Sequence, residues 1–106
     1  ITAWSNDFGF DGIFARQVET LGEENDVLIC YSTSGSSKNI LEAVSEAKKK
    51  KMQILSFTGN TKNNKLAEAS ALSFQAPSSN TALIQELHTI IGHEVCLSVE
   101  KLMLRK

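Results

Sequence analysis

Proline is almost absent from this sequence, occurring once in 106 residues, at Pro77. That scarcity excludes a polyproline or collagen-like chain and any proline-rich linker. Cysteine is nearly as rare. Cys30 and Cys96 stand far apart in apolar settings, which predicts two buried, reduced thiols and excludes a disulfide framework or a zinc knuckle. Such thiols suit a reducing cytoplasm. An excess of one charge is also missing: 11 Lys and Arg against 12 Asp and Glu give a formal net charge of -1, which leaves no electrostatic footprint for nucleic acid. The single basic run, Lys48 to Lys51, reads as a helix end, where lysines complement the partial negative charge, with a nucleic-acid patch as the alternative. No apolar run approaches the about 18 residues needed to span a membrane, and no signal-peptide pattern opens the chain. An initiator Met is lacking, and Ile1 falls inside apparent structure, so an N-terminally incomplete chain is expected.

What is present is an alternation of strand and helix patterns. Val27 to Tyr31 is a short apolar run that reads as a buried parallel strand. A small polar loop follows, Ser32-Thr33-Ser34-Gly35-Ser36-Ser37, and then Asn39 to Lys51 carries Ile40, Leu41, Val44 and Ala47 at helical spacing. Met52 to Phe57 predicts a second strand, Thr58 to Asn64 a turn, Lys65 to Ala71 a short helix, and Leu72 to Ala76 a third strand. Thr81 to Leu104 keeps helical periodicity for about six turns, and Asp11 to Leu21 is helical too, with Ile13, Phe14, Val18 and Leu21 on one face. The alternation predicts an α/β fold with a parallel sheet flanked by helices. No repeat or linker divides residues 1–106, which are expected to form one domain.

Two places carry chemistry. In a hydroxyl-rich loop between a parallel strand and a helix, hydroxyls, backbone N–H groups and the positive end of the helix dipole converge on one point. Ser32, Thr33, Ser34 and Ser37 would then cradle a phosphate, with Gly35 allowing close backbone approach. Equally, the same residues suit an ordinary loop whose serines cap the helix. There is no Walker lysine, which excludes a P-loop nucleotidase. On the long helix, Gln85 and His93 are separated by about 80° around the axis and about 12 Å along it, so side chains of about 6 Å reach could meet a metal between them. His88 points away from His93. The other reading makes His93 a core histidine of an amphipathic helix.

The order of these features resembles the phosphoheptose isomerases of the SIS (sugar isomerase) superfamily. Asn6-Asp7-Phe8-Gly9-Phe10, Phe14 to Glu19, and Gly22 with Asp26 to Ile29 look like the middle of such an enzyme. Ser32 to Ser37 resembles its serine-rich phosphate loop, where the position of Ser36 is often Asn, and Thr58-Gly59 and Ile84 to His88 with His93 resemble its last strand-turn and C-terminal helix. The resemblance covers the whole chain. It implies an SIS-type α/β sandwich whose N-terminal portion is missing, built as a cytoplasmic homotetramer with active sites between subunits. The implied reaction is aldose–ketose isomerisation of sedoheptulose 7-phosphate to D-glycero-D-manno-heptose 7-phosphate through an enediol, for bacterial surface heptose such as that of lipopolysaccharide.

Carried over by position, Ser32, Thr33, Ser34 and Ser37 match phosphate-binding residues and Asp7 matches an acidic residue near the site. Gln85 and His93 match two zinc-site residues, Gln85 also facing substrate and His93 also matching the catalytic histidine. One zinc per subunit is implied, its remaining ligands expected from the missing N-terminal part. Leu83 stands where the family often has Arg. Two other members of the superfamily compete with this reading. A non-catalytic SIS protein that associates with the bacterial replication initiator lacks the helix histidine, and another phosphosugar isomerase or sugar sensor would share the serine loop without the Gln85 and His93 pair.

Overall fold

The computed structural model of the chain describes residues 1–105. Five helices and three strands follow the order α1 (Thr2–Phe8), α2 (Ile13–Leu21), β1 (Val27–Ser32), α3 (Lys38–Lys49), β2 (Gln53–Gly59), α4 (Lys65–Ala69), β3 (Leu72–Ala76) and α5 (Thr81–Leu104). The strands form one parallel sheet in the order β1-β2-β3. This is the α/β architecture expected from the alternating pattern.

Side chains alternate across a strand, and the register sorts them into two different faces. On one face Cys30 of β1 lies beside Ser56 of β2 and Ser73 of β3, and Ser56 Oγ donates to Ser73 Oγ at 2.9 Å. Helices α2, α3 and α4 close this face with Val18, Val44, Ala47 and Leu66, packed against Cys30 and Ile54. Full burial of each large aliphatic side chain in such a cluster stabilises by about 1.5–3 kcal/mol. On the other face Tyr31, Phe57 and Phe74 stand in register, with Tyr31 and Phe57 stacked at 4.7 Å between ring centroids. Helix α5 covers that aromatic row.

Capping explains where the later helices begin. Asn80 Oδ1 accepts from the N–H groups of Ala82 and Leu83, starting α5, and Asn64 Oδ1 accepts from Ala67 N–H at 3.1 Å, starting α4. Lys48 and Lys49 occupy the last turn of α3, as the basic run predicted. The seven-residue α1 is an addition to the pattern read from sequence: it buries no residue completely, so it has no apolar periodicity to reveal it. Its Trp4 ring packs at a tilt against Phe8 and sits under the Arg16 guanidinium, 5.3 Å from the ring centroid.

Helix α5 also corrects one expectation. Cys30 is buried, but Cys96 is exposed, because from His93 onward every described residue lies open to solvent. The first half of α5 packs on the sheet through Ile84 and His88. The second half projects past β1, forming a groove with Ile29 beside His93, Cys96 and Val99.

Candidate functional site

The serine loop runs from the C-terminal end of β1 to the first turn of α3. Ser32 is buried at the end of the strand, and its Oγ lies 3.0 Å from Ser37 Oγ and 3.5 Å from Ser34 Oγ. Three hydroxyls thus converge where the helix begins. Ser37 is the N-cap residue of α3, yet its side chain makes no capping hydrogen bond; the hydroxyl is turned toward Ser32 instead. That arrangement sets aside the reading in which Ser37 caps α3. A capping serine would satisfy a first-turn N–H; here the first-turn Ile40 N–H donates to Asn39 Oδ1 at 2.9 Å instead.

The backbone of the loop is held in an unusual conformation. Gly35 has φ 65°, a left-handed value that favours glycine, and its N–H donates to the carbonyl oxygen of Ser32 at 3.1 Å and to Ser32 Oγ at 3.2 Å. Ser36 N–H donates to Ser34 Oγ at 3.2 Å. A Cβ added at Gly35 would overlap the Asn64 side chain, so the position admits glycine on two separate grounds. Thr33 sits between the serines, half-buried, and its carbonyl accepts from Gly59 N–H at 3.0 Å. Lys38, the first residue of α3, pairs with Asp11 at 2.6 Å; the Asp11 hydrogen bond and charge hold its pKa above the ordinary lysine value.

The remaining expected site residues are exposed. Asp7 lies on α1, its carboxylate accepting from Asn6 Nδ2 at 3.0 Å. Gln85 and His93 lie on α5, both open to solvent, and neither side chain has a hydrogen-bond partner among the described residues. His93 is therefore not the core histidine of α5. That part belongs to His88, buried among Tyr31, Phe57 and Phe74, with Nε2 2.9 Å from the carbonyl oxygen of Thr58. The fold brings Ser32, Ser34 and Ser37 together. Among the described residues, no hydrogen bond or salt bridge joins them to Asp7, Gln85 or His93.

Comparison with known proteins supplies the context for this geometry. The family model of the SIS domain matches residues 1–59. The chain belongs to the SIS domain family. It is 50% identical over 100 residues to the phosphoheptose isomerase of Burkholderia pseudomallei, covering 94% of this chain and 50% of that protein. With the phosphoheptose isomerase of Helicobacter pylori it shares 45% identity over 101 residues, covering 95% and 52% of the two chains. Among solved structures, a phosphoheptose isomerase from Francisella tularensis superposes with a TM-score of 0.84 at 42% identity, covering 91% of this chain and 51% of the other. The phosphoheptose isomerase GmhA from Neisseria gonorrhoeae gives 0.83 at 38% identity, covering 94% and 55%. This SIS chain spans about half the length of the curated relatives it matches.

Metal chemistry has only part of its donor set here. Gln85 supplies an amide oxygen and His93 an imidazole nitrogen, and both are donor types that divalent metals accept. Among the described residues, no group of three or more His, Cys, Asp or Glu could hold a metal ion.

Asn64 and Thr61, which lie against the serine loop, were not singled out by the sequence reading. Asn64 is buried under the serine loop, its Nδ2 donating to Thr58 Oγ1 at 2.8 Å and to the Gly59 carbonyl at 3.3 Å. Thr61 Oγ1 donates to the carbonyl of Ser34 at 3.2 Å. The available signal was the N-cap pattern of Asn64 before Lys65 to Ala69, which predicts the cap but not the loop above it.

Proposed function

We propose that this chain is the phosphate-binding and metal-ligating part of a sedoheptulose 7-phosphate isomerase, its 106 residues forming one incomplete SIS domain. The observation that carries the reading is the Ser37 hydroxyl, turned from its capping position toward Ser32 and Ser34 at the start of α3. The phosphoheptose isomerase relatives, at 45–50% identity along nearly the whole chain, supply the reaction class.

In this reading Ser32, Ser34 and Ser37, with Thr33, hold the phosphate, and the helix dipole of α3 offsets its charge. Asp7 and Gln85 face the sugar. Aldose–ketose interconversion moves a proton between C1 and C2 through an enediol, which needs a positioned acid/base, and His93 is the candidate in this chain. Gln85 and His93 would hold one zinc per subunit together with ligands from the part of the relatives that this chain does not span. When bound, zinc holds the substrate oxygens and offsets the charge that develops on them. One imidazole nitrogen does not ligate a metal and exchange a proton in the same act, so the two roles of His93 are separable by experiment.

The reading carries a cytoplasmic homotetramer whose sites lie between subunits, in keeping with the exposed apolar second half of α5. No helix of the described residues is long and apolar enough to cross a membrane. The non-catalytic superfamily member that binds the replication initiator is disfavoured by His93, which it lacks. The direct test is turnover: the whole protein, supplied with zinc, should convert sedoheptulose 7-phosphate to the heptose 7-phosphate aldose. Phosphosugar binding without conversion would transfer the assignment to a binding or sensing protein.

A further inference from the structure

The serine loop is held from outside as well as by its own hydrogen bonds. Three successive carbonyls, those of Thr33, Ser34 and Gly35, accept hydrogen bonds from the last residue of β2, from the segment that joins β2 to α4 and from the first turn of α4. Gly59 N–H reaches Thr33 at 3.0 Å, Thr61 Oγ1 reaches Ser34 at 3.2 Å, and Leu66 N–H reaches Gly35 at 3.0 Å. No peptide bond of the described chain is cis, and a trans peptide directs its carbonyl and the following N–H to opposite sides. Fixing those three carbonyls therefore turns the N–H groups of Ser34, Gly35 and Ser36 the other way. That is the side of the serine hydroxyls, since Gly35 and Ser36 N–H donate to Ser32 Oγ and Ser34 Oγ.

An anion is repelled by carbonyl oxygens and attracted by N–H and hydroxyl hydrogens. We propose that residues Gly59 to Leu66, through Thr61 and Asn64, are a positioning element that gives the serine loop its anion-attracting polarity without touching the anion. Thr61 holds the Ser34 carbonyl through its side chain at 3.2 Å, beside a longer bond from Ser36 Oγ at 3.3 Å within the loop. Asn64 underpins the whole element: it is buried, it fills the space that a Cβ at Gly35 would need, and its Nδ2 ties Thr58 Oγ1 to the Gly59 carbonyl. Its Oδ1 meanwhile starts α4, whose Leu66 N–H holds Gly35. A loop carbonyl released from this element would be held less firmly against turning toward the phosphate.

This inference rests on the serine loop being the phosphate site, and the experiment separates the two claims. Thr61→Val, Thr61→Ser, Asn64→Asp and Ser34→Ala are made in the whole protein, and inorganic phosphate binding is measured by calorimetry alongside KM and kcat for sedoheptulose 7-phosphate. Thr61→Val removes one hydrogen bond and should weaken phosphate binding and raise KM by about three- to tenfold with kcat and thermal midpoint unchanged. Thr61→Ser, which keeps the hydroxyl, should match the parent. Asn64→Asp keeps the volume and the cap but replaces the donor, and should weaken phosphate binding by about tenfold or more. Should Asn64→Asp fail to fold, the Thr61 pair decides alone. If Ser34→Ala weakens phosphate binding and Thr61→Val does not, the positioning element is wrong and the phosphate site stands. If neither variant changes phosphate affinity, both claims fall together.

Discussion

His88 and Thr58, thirty residues apart, are joined by a 2.9 Å contact between imidazole Nε2 and backbone carbonyl, buried at the end of β2. A carbonyl can only accept, so Nε2 carries the hydrogen. Thr58 is completely buried and is held on both sides: its carbonyl by His88 from α5 and its hydroxyl by Asn64 from beneath the serine loop. One residue at the end of β2 thus links the helix bearing Gln85 and His93 to the loop bearing the serines.

The stability of that link is measurable. His88→Phe keeps a ring among Tyr31, Phe57 and Phe74 but removes the hydrogen bond to the buried Thr58 carbonyl, which should cost about 0.5–1.5 kcal/mol. His88→Ala loses the packing as well and should cost about 2–5 kcal/mol. Urea unfolding of both variants checks the ranking. Equal stability of His88→Phe and the parent would mean that the imidazole contributes packing alone.

Much of this organisation was legible in the residues, for identifiable reasons. Val27 to Tyr31 and Thr81 to Leu104 announce a strand and a helix by their apolar pattern. But β1 is not the buried strand its run suggested: Val27, Ile29 and Tyr31 alternate onto the other face and are exposed, and in this chain only Cys30 and Ser32 of the strand are buried. The choice of core histidine was equally available: Ile84 and His88 lie four residues apart, on one helix face, and both are buried. What periodicity does not carry is the partner of a polar turn residue. Thr61 and Asn64 have the composition of any turn, and only the tertiary fold brings them under Ser34 and Gly35. The exposure of Cys96 was hidden for the converse reason, since an apolar helix reads the same whether the surface it needs lies in this chain or elsewhere.

Cys30 provides a pH-dependent prediction. Burial raises its thiol from an ordinary value of 9.0 to about 11. Between these values the unfolded chain releases a proton that the folded chain keeps, which favours unfolding. The contribution of the neutral thiol is therefore complete below about pH 9 and is lost as pH rises toward about 11. Thermal midpoints should fall more steeply across that window for the parent than for Cys30→Ala. Parallel curves would remove Cys30 from the alkaline response.

Assembly should depend on the second half of α5, where Val99, Leu102, Met103 and Leu104 are all more than half exposed. Light scattering of the whole protein at micromolar concentration should give a tetramer. Burial of one leucine is worth about 1.5–3 kcal/mol, so Leu102→Asp should weaken association by about tenfold or more. A parent protein that is monomeric under these conditions would count against sites shared between subunits.

His93 gives the most discriminating test, because it distinguishes an isomerase from a binding protein of the same superfamily. It lies on the exposed half of α5, with no hydrogen-bond partner among the described residues and no share in the core, so its replacement should leave folding intact. His93→Asn keeps a polar side chain while removing the imidazole. Loss of a positioned general acid/base typically lowers the rate by about 10²–10⁴-fold, and loss of a metal ligand adds to that. Turnover of sedoheptulose 7-phosphate by the whole protein should fall by at least this much. Phosphate binding through Ser32, Ser34 and Ser37 should persist, since loop and helix perform different tasks. Zinc content measured on the same samples separates the two roles: joint loss of zinc and activity supports ligation, whereas loss of activity with zinc retained supports proton transfer. A folded variant that turns over like the parent would remove His93 from the chemistry and leave the serine loop as the site of a phosphosugar-binding protein.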